Sequence, residues 1–232
     1  MTQLEMLIEA RNLYRTYGQP ETDRQQVVLD NLSLQIEKGS SVAITGPSGS
    51  GKTTLLNLLG TLDKPDKGEI HFRGSDISLL SSKELDRFRN QNLGFVFQQH
   101  HLLPQFNLME NVLVPTLPGR NGRGNRQGAE ELIKKIGLWE HRHKYPNELS
   151  GGECQRTAVV RSLVNNPEII LADEPTGSLD HDNSVQLIEL LMKFNKEDGI
   201  TLIVVTHSSE LALKLDRSYN LLNGNLELIR ES

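Results

Sequence analysis

The sequence predicts a mixed α/β fold: a parallel-sheet core, an antiparallel β portion and an inserted helical stretch. Three observations carry that prediction. The apolar run Ser41 to Thr45 leads at once into a glycine-rich loop and then into the helical pattern TTLLNLLG. A second apolar run, Ile169 to Ala172, ends in the carboxylates Asp173 and Glu174. From Gln99 to about Val164, helical periodicity and loops replace strand texture. Continuous apolar runs suit the buried strands of a parallel sheet, whereas alternation suits half-exposed antiparallel ones.

Residues 4 to 9 and 27 to 36 alternate, and GEIHFRG (Gly68 to Gly74) is a further strand between glycines. These form the expected antiparallel part. KELDRFRN (Lys83 to Asn90) reads as a short amphipathic helix, and NLGFVFQ returns to the sheet. GRNGRGNRQG (Gly119 to Gly128) reads as a mobile loop whose charge is a solvated face. GAEELIKKIGL is a helix with Leu132, Ile133 and Ile136 on one face and a stop at Gly137. Residues 183 to 195 form an amphipathic helix through Val185, Ile188, Leu191 and Phe194. TLIVVTH is a strand, SSELALKLD a helix, and YNLLNGNLELI a closing hairpin turning at Asn223-Gly224. The expected division is a core of residues 1–98 and 165–232 around a helical subdomain, 99–164.

Composition narrows the function. A chain of 232 residues is long enough for one domain with a substantial core. A net charge of −5 argues against nucleic acid as a primary partner. A single cysteine excludes a disulfide framework and fits a reducing compartment. No apolar run approaches the ~20 residues that a spanning helix needs. Glu5, Glu9 and Arg11 interrupt the N-terminal apolar stretch, which is not a signal peptide. A cytoplasmic protein is expected, with any membrane attachment made through a partner.

The loop Gly46-Pro47-Ser48-Gly49-Ser50-Gly51 followed by Lys52, Thr53 and Thr54 matches the phosphate-binding pattern GxxxxGKT. Glycines let the backbone N–H groups turn inward around phosphate oxygens. Lys52 would reach the β- and γ-phosphates and the Thr53 hydroxyl would ligate Mg²⁺. The helix start would direct its positive dipole end at the anion. Asp173 and Glu174 stand at the C-terminal end of a strand, where doubly wound sheets bind ligands. Asp173 suits Mg²⁺, and Glu174 suits a general base for the attacking water. LSGGECQR (Leu149 to Arg156) places Ser150 as the N-cap of a helix. His141, His143 and Cys154 fit no zinc spacing.

With these strings on view, the chain resembles the ATPase subunits of ABC transporters over nearly its whole length. That resemblance implies a P-loop NTPase (RecA-like) core with an antiparallel β subdomain and an inserted α-helical subdomain. It implies that Tyr17 stacks on adenine, and that Gln98, in GFVFQ, senses Mg²⁺ and the attacking water. It assigns Ser150, Gly151 and Gly152 to the signature that meets the γ-phosphate held by a second copy. Ser178, Leu179 and Asp180 match the loop that crosses the dimer seam, and His207, in IVVTHS, matches the switch histidine. Two copies would then close head-to-tail around two MgATP.

RNQNLGFVFQQHHLLPQFNLMENV (Arg89 to Val112) and SLVNNPEIILADEPTGSLD (Ser162 to Asp180) look like the lipoprotein-releasing LolD group, beside MacB-type efflux ATPases. By that resemblance His100, His101, Leu102, Leu103 and Pro104 contact the membrane subunits, at the cytoplasmic face of the inner membrane. Cys154 stands where relatives usually carry Gln or Arg, and GSLD replaces the frequent GNLD. An ATP-driven signalling module remains an alternative. So does a soluble ABC protein of DNA repair or translation, although the chain shows no second ATPase unit and no basic arm.

Overall fold

The computed structural model describes residues 5–18, 26–118 and 125–231. Most of the arginine- and glycine-rich stretch, 119–124, lies outside the described residues, as do the first four residues and 19–25. In chain order the elements are β1 (Met6–Tyr17), β2 (Gln26–Glu37), β3 (Ser41–Thr45), α1 (Lys52–Leu59), β4 (Lys67–Phe72), β5 (Ser75–Asp76), α2 (Ser82–Asn92), β6 (Leu93–Phe97), α3 (Leu108–Leu113), α4 (Arg126–Lys135), α5 (Gly151–Leu163), β7 (Ile169–Asp173), α6 (His181–Asp198), β8 (Thr201–Val205), α7 (Ser209–Lys214), β9 (Arg217–Leu222) and β10 (Asn225–Glu231). They group into two compact units, Met1–Arg89 with Thr201–Ser232, and Asn90–Ile200.

The first unit carries the expected antiparallel sheet, in the order β2-β1-β4-β5. Apolar residues pair across it, with Ile8 opposite Ile36 and Ala10 opposite Leu34. The first strand runs well past the alternating residues, on to Tyr17, because bulges after Ala10 break the period of two. The same unit holds β3 parallel to both β8 and β9, with Ile44 in register with Val205 and Tyr219. Ser41 to Ile44 are buried throughout. Asp216 pins the start of β3, accepting from the Ser41 amide and hydroxyl at 2.8 Å each. Strands β9 and β10 form the closing hairpin, and Asn223 and Gly224 both have positive φ (49° and 78°), as a primed turn requires.

In the second unit β6 and β7 run parallel, from Leu93 opposite Ile169 to Phe97 opposite Asp173. Among the described residues between 99 and 164 there is no strand. Leu108, Met109 and Val112 of α3 pack with Ala129 and Ile133 of α4 and Val160 of α5. The chain stops α4 at Gly137 (φ 72°) and α6 at Gly199 (φ 67°), both in the left-handed region. The mixed α/β class with a helical stretch follows the sequence expectation.

Candidate active site

The glycine loop joins β3 to α1. Gly46 has φ 144°, and a Cβ there would stand 2.4 Å from the Leu221 carbonyl oxygen. Gly51 has φ 102°, and its Cβ would meet Val28 Cγ1 at 2.7 Å. Backbone sterics and neighbours therefore both demand glycine at these positions. No side chain caps α1, and its first turn carries no acidic residue. Lys52 is buried, and its Nζ donates to the carbonyls of Gly46 and Pro47 at 2.9 Å each. An ammonium at the start of a helix capped only by glycine makes a positive locus, and the set fits a nucleotide phosphate. Thr53 is exposed beside it.

Strand β8 brings His207 to the same edge. The Thr206 amide donates to the Ile44 carbonyl at 3.1 Å, so the chain after β8 leaves beside the chain after β3. Thr206 Oγ1 accepts from the Ser208 amide and Ser208 caps α7, which fixes the turn on both sides of the exposed His207. Tyr17 lies at the end of β1. Its hydroxyl donates to Asp63 at 3.0 Å, and the Arg15 guanidinium lies 4.9 Å from its ring centroid. Arg15 is itself bonded to Asp63 and to Asp66. The ring is thus fixed at its hydroxyl and against a cation.

In the second unit the register Phe97 opposite Asp173 sets Gln98 and Glu174 as the next residues on neighbouring parallel strands. Glu174 has φ 47°, a left-handed conformation rare for a non-glycine residue. Such strain costs about 1–3 kcal/mol and persists only where the surroundings enforce it. Here the enforcement is visible. The Gly177 amide donates to the Glu174 carbonyl at 2.9 Å, and Ser178 Oγ donates to the Gln98 carbonyl at 2.9 Å. A Cβ on Gly177 would meet Gln98 Nε2 at 2.8 Å.

Ser150 caps α5 as expected: its Oγ accepts from the Glu153 amide, and the Glu153 carboxylate accepts from the Ser150 amide at 2.7 Å. Burial opposes ionisation of Glu153, yet its bonds from Ser150 and the charges of His141 and Lys144 hold the carboxyl below its usual range. His141 Nδ1 lies 2.6 Å from Glu153 Oε1. Gly151 is open, with nothing near a Cβ, but a Cβ on Gly152 would stand 2.0 Å from Asn183 Oδ1. Asn183 in turn donates from its amide and its Nδ2 to Asp180, both at 2.8 Å. Those bonds lower the Asp180 pKa and make Asp180 the N-cap of α6. Gly152 and Asp180, assigned separately on the sequence, both touch Asn183.

The stretch 100–104 is tethered to α5. Arg161 donates to the carbonyls of His100 and His101 at 2.7 Å each. Burial depresses the Arg161 pKa. Burial, then the charges of Arg161 and His101, lowers the pKa of His100, whose Nδ1 accepts from the Leu102 amide. His101 and Pro104 are exposed. Leu102 differs from its neighbours: it is buried against Cys154 and Ala158. Cys154 is therefore a packing residue, and its thiol also donates to the Pro146 carbonyl. Sequence reasoning missed Gln155, Asn183, Arg15 and Asp63. Gln155 stands between Glu153 and Cys154 on one side and Arg156 and Thr157 on the other, so nothing in the string marks it as buried.

The ABC transporter family profile matches residues 29–177. The chain belongs to the ABC transporter family. It is an ABC-type ATPase cassette. The lipoprotein-releasing system ATP-binding protein LolD of Syntrophus aciditrophicus (strain SB) is 46% identical over 222 residues, covering 95% of this chain and 98% of that protein. The macrolide export ATP-binding/permease protein MacB of Rhodopirellula baltica is 46% identical over 205 residues, 87% of this chain and 30% of that longer protein. A solved dimeric ATP-binding cassette in a post-hydrolysis state, bound to ADP and Pi, matches with a TM-score of 0.86 at 39% identity, over 97% of this chain and 100% of that one. Among the described residues no helix is long and apolar enough to cross a membrane.

Proposed function

We propose that this ATPase drives a membrane transporter that releases lipoproteins from the inner membrane, and that it works as an ATP-closed pair of copies. Each site takes Lys52, Thr53, Gln98, Asp173, Glu174 and His207 from one copy, and Ser150 and Gly152 from the other. Tyr17 stacks on adenine, the loop 46–54 holds the phosphates, and Gly151 and Asp180 line the seam. Glu174 accepts a proton from the water as its oxygen bonds to the γ-phosphorus. The bond to the leaving ADP oxygen breaks, while Lys52 balances the charge on the transferred group and His207 hydrogen-bonds it. Thr53, Gln98 and Asp173 would hold Mg²⁺, which would supply positive charge against the developing negative charge of the phosphates. The core is residues 1–98 with 165–232, and the signature subdomain is 99–164.

The observation that carries this reading is the register that sets Gln98 beside the strained Glu174 at one strand edge. The LolD relative, similar along nearly the whole chain, supports lipoprotein release. The membrane subunits contact His100, His101, Leu103 and Pro104 and hold the chain at the cytoplasmic face, Leu102 being the buried root of that loop. The MacB relative supports a second reading, efflux or force transmission by a related complex.

Glu174→Gln is expected to trap a dimer on size exclusion at saturating MgATP. A monomeric variant that still hydrolyses ATP removes the site assignment. The membrane subunits that co-purify with the chain, placed in proteoliposomes, are expected to release lipoprotein on ATP addition. Small-molecule efflux without lipoprotein release would favour the second reading.

A further inference from the structure

Gln155 lies inside α5 with 1% of its surface exposed. Its Nε2 donates to the Phe97 carbonyl at 2.7 Å and to the Pro175 carbonyl at 3.0 Å. Phe97 immediately precedes Gln98, and Pro175 immediately follows Glu174. One carboxamide nitrogen therefore spends both protons on the backbone beside the two residues assigned to the attacking water. A buried carbonyl without a donor is costly, so the side chain and both strand ends are locked together. The strained φ of Glu174 needs such a lock to persist.

We propose that Gln155 is a positioning residue for hydrolysis: it fixes the separation of Gln98 and Glu174 and ties that geometry to the signature helix. This rests on the proposed roles of Gln98 and Glu174. Gln155 touches no reacting atom, and it acts through the backbone on either side.

Gln155→Met keeps the length of the side chain and removes both donors. The expected result is a kcat lower by about 10- to 100-fold, the scale of a misplacement near 1 Å. KM and the Kd for a fluorescent ATP analogue stay within about twofold, because the phosphate loop is untouched. A folded Gln155→Met with wild-type kcat overturns the proposal, as does a kcat loss matched by equal loss of ATP affinity. Should Gln155→Met not fold, Gln155→Glu is assayed against pH. Burial raises the pKa of the new carboxyl, whose acid form supplies one O–H donor. Recovery of kcat relative to wild type between about pH 7 and about pH 5 supports the lock, and no recovery overturns it. Glu174→Gln serves as the control. If it hydrolyses ATP, the underlying reading fails; if it is inactive while Gln155→Met matches wild type, only the positioning role fails.

Discussion

The helix starts of α1 and α5 were both expected to face phosphate, and they are built in opposite ways. The start of α1 is left to Gly51 in a left-handed conformation, with no side-chain cap and no acidic residue in its first turn. The start of α5 is closed by a reciprocal capping box between Ser150 and Glu153, and Glu153 adds a negative charge. A glycine start gives up local stability and leaves the dipole end to an anion, whereas a capped start is stable by itself and meets an anion less readily. The first therefore suits a site that binds nucleotide within one copy. The second is the start that the proposed function gives to phosphate held by another copy.

The largest expected effect tests the α1 side. Lys52→Ala should lower kcat by about 100- to 1000-fold, read as phosphate release at saturating ATP. A near-normal rate would break the contrast outright. On the α5 side, Gly152→Ala should cost about 2 kcal/mol in thermal melts, because its Cβ collides with Asn183. Gly151→Ala, at an open position, should stay within about 0.5 kcal/mol of the parent. Equal costs at both glycines would deny the Asn183 contact, and adding Asn183→Ala to Gly152→Ala should recover most of the loss. Ser150→Ala should cost about 1 kcal/mol from the lost cap. Asp63→Ala loosens Tyr17 and should raise KM for ATP about threefold with kcat unchanged, a change of under about 1 kcal/mol. An unchanged KM would remove Asp63 from the adenine side.

The smallest effect is a pH dependence. The Glu153 carboxyl is held below the usual glutamate range, so its contribution is full above that range and is lost as pH falls through the lowered folded value. The stability gap between wild type and Glu153→Gln, measured by denaturant titration, should therefore shrink as the pH falls through the acid range. A gap that grows on acidification would contradict the capping box.

Much of this was legible because its causes are local. SVAIT is buried and continuous, the loop after it concentrates glycine, and Asn223-Gly224 has the conformations that its turn demands. Ser150 is followed three residues later by Glu153, so the cap can be read from spacing alone. The remainder depends on residues far apart in the chain. Gln155 bonds a carbonyl 58 positions away, and Arg15 meets Asp63 across 48. Gly152 was assigned from its motif, and its closeness to Asn183, 31 positions on, could not be read from the string. The full reach of β1 was hidden because a bulged strand loses the alternation by which strands are recognised.

The packing of Leu102 has a mechanical consequence. Its side chain is rooted against Cys154 and Ala158 of α5, and Arg161 of the same helix grips the carbonyls of His100 and His101. Close-packed interiors pass strain on rather than absorb it. A load applied at His101 or Pro104 is therefore borne by the helix that begins at Ser150, like a handle bolted to its shaft, and the loop has little slack in which to dissipate it.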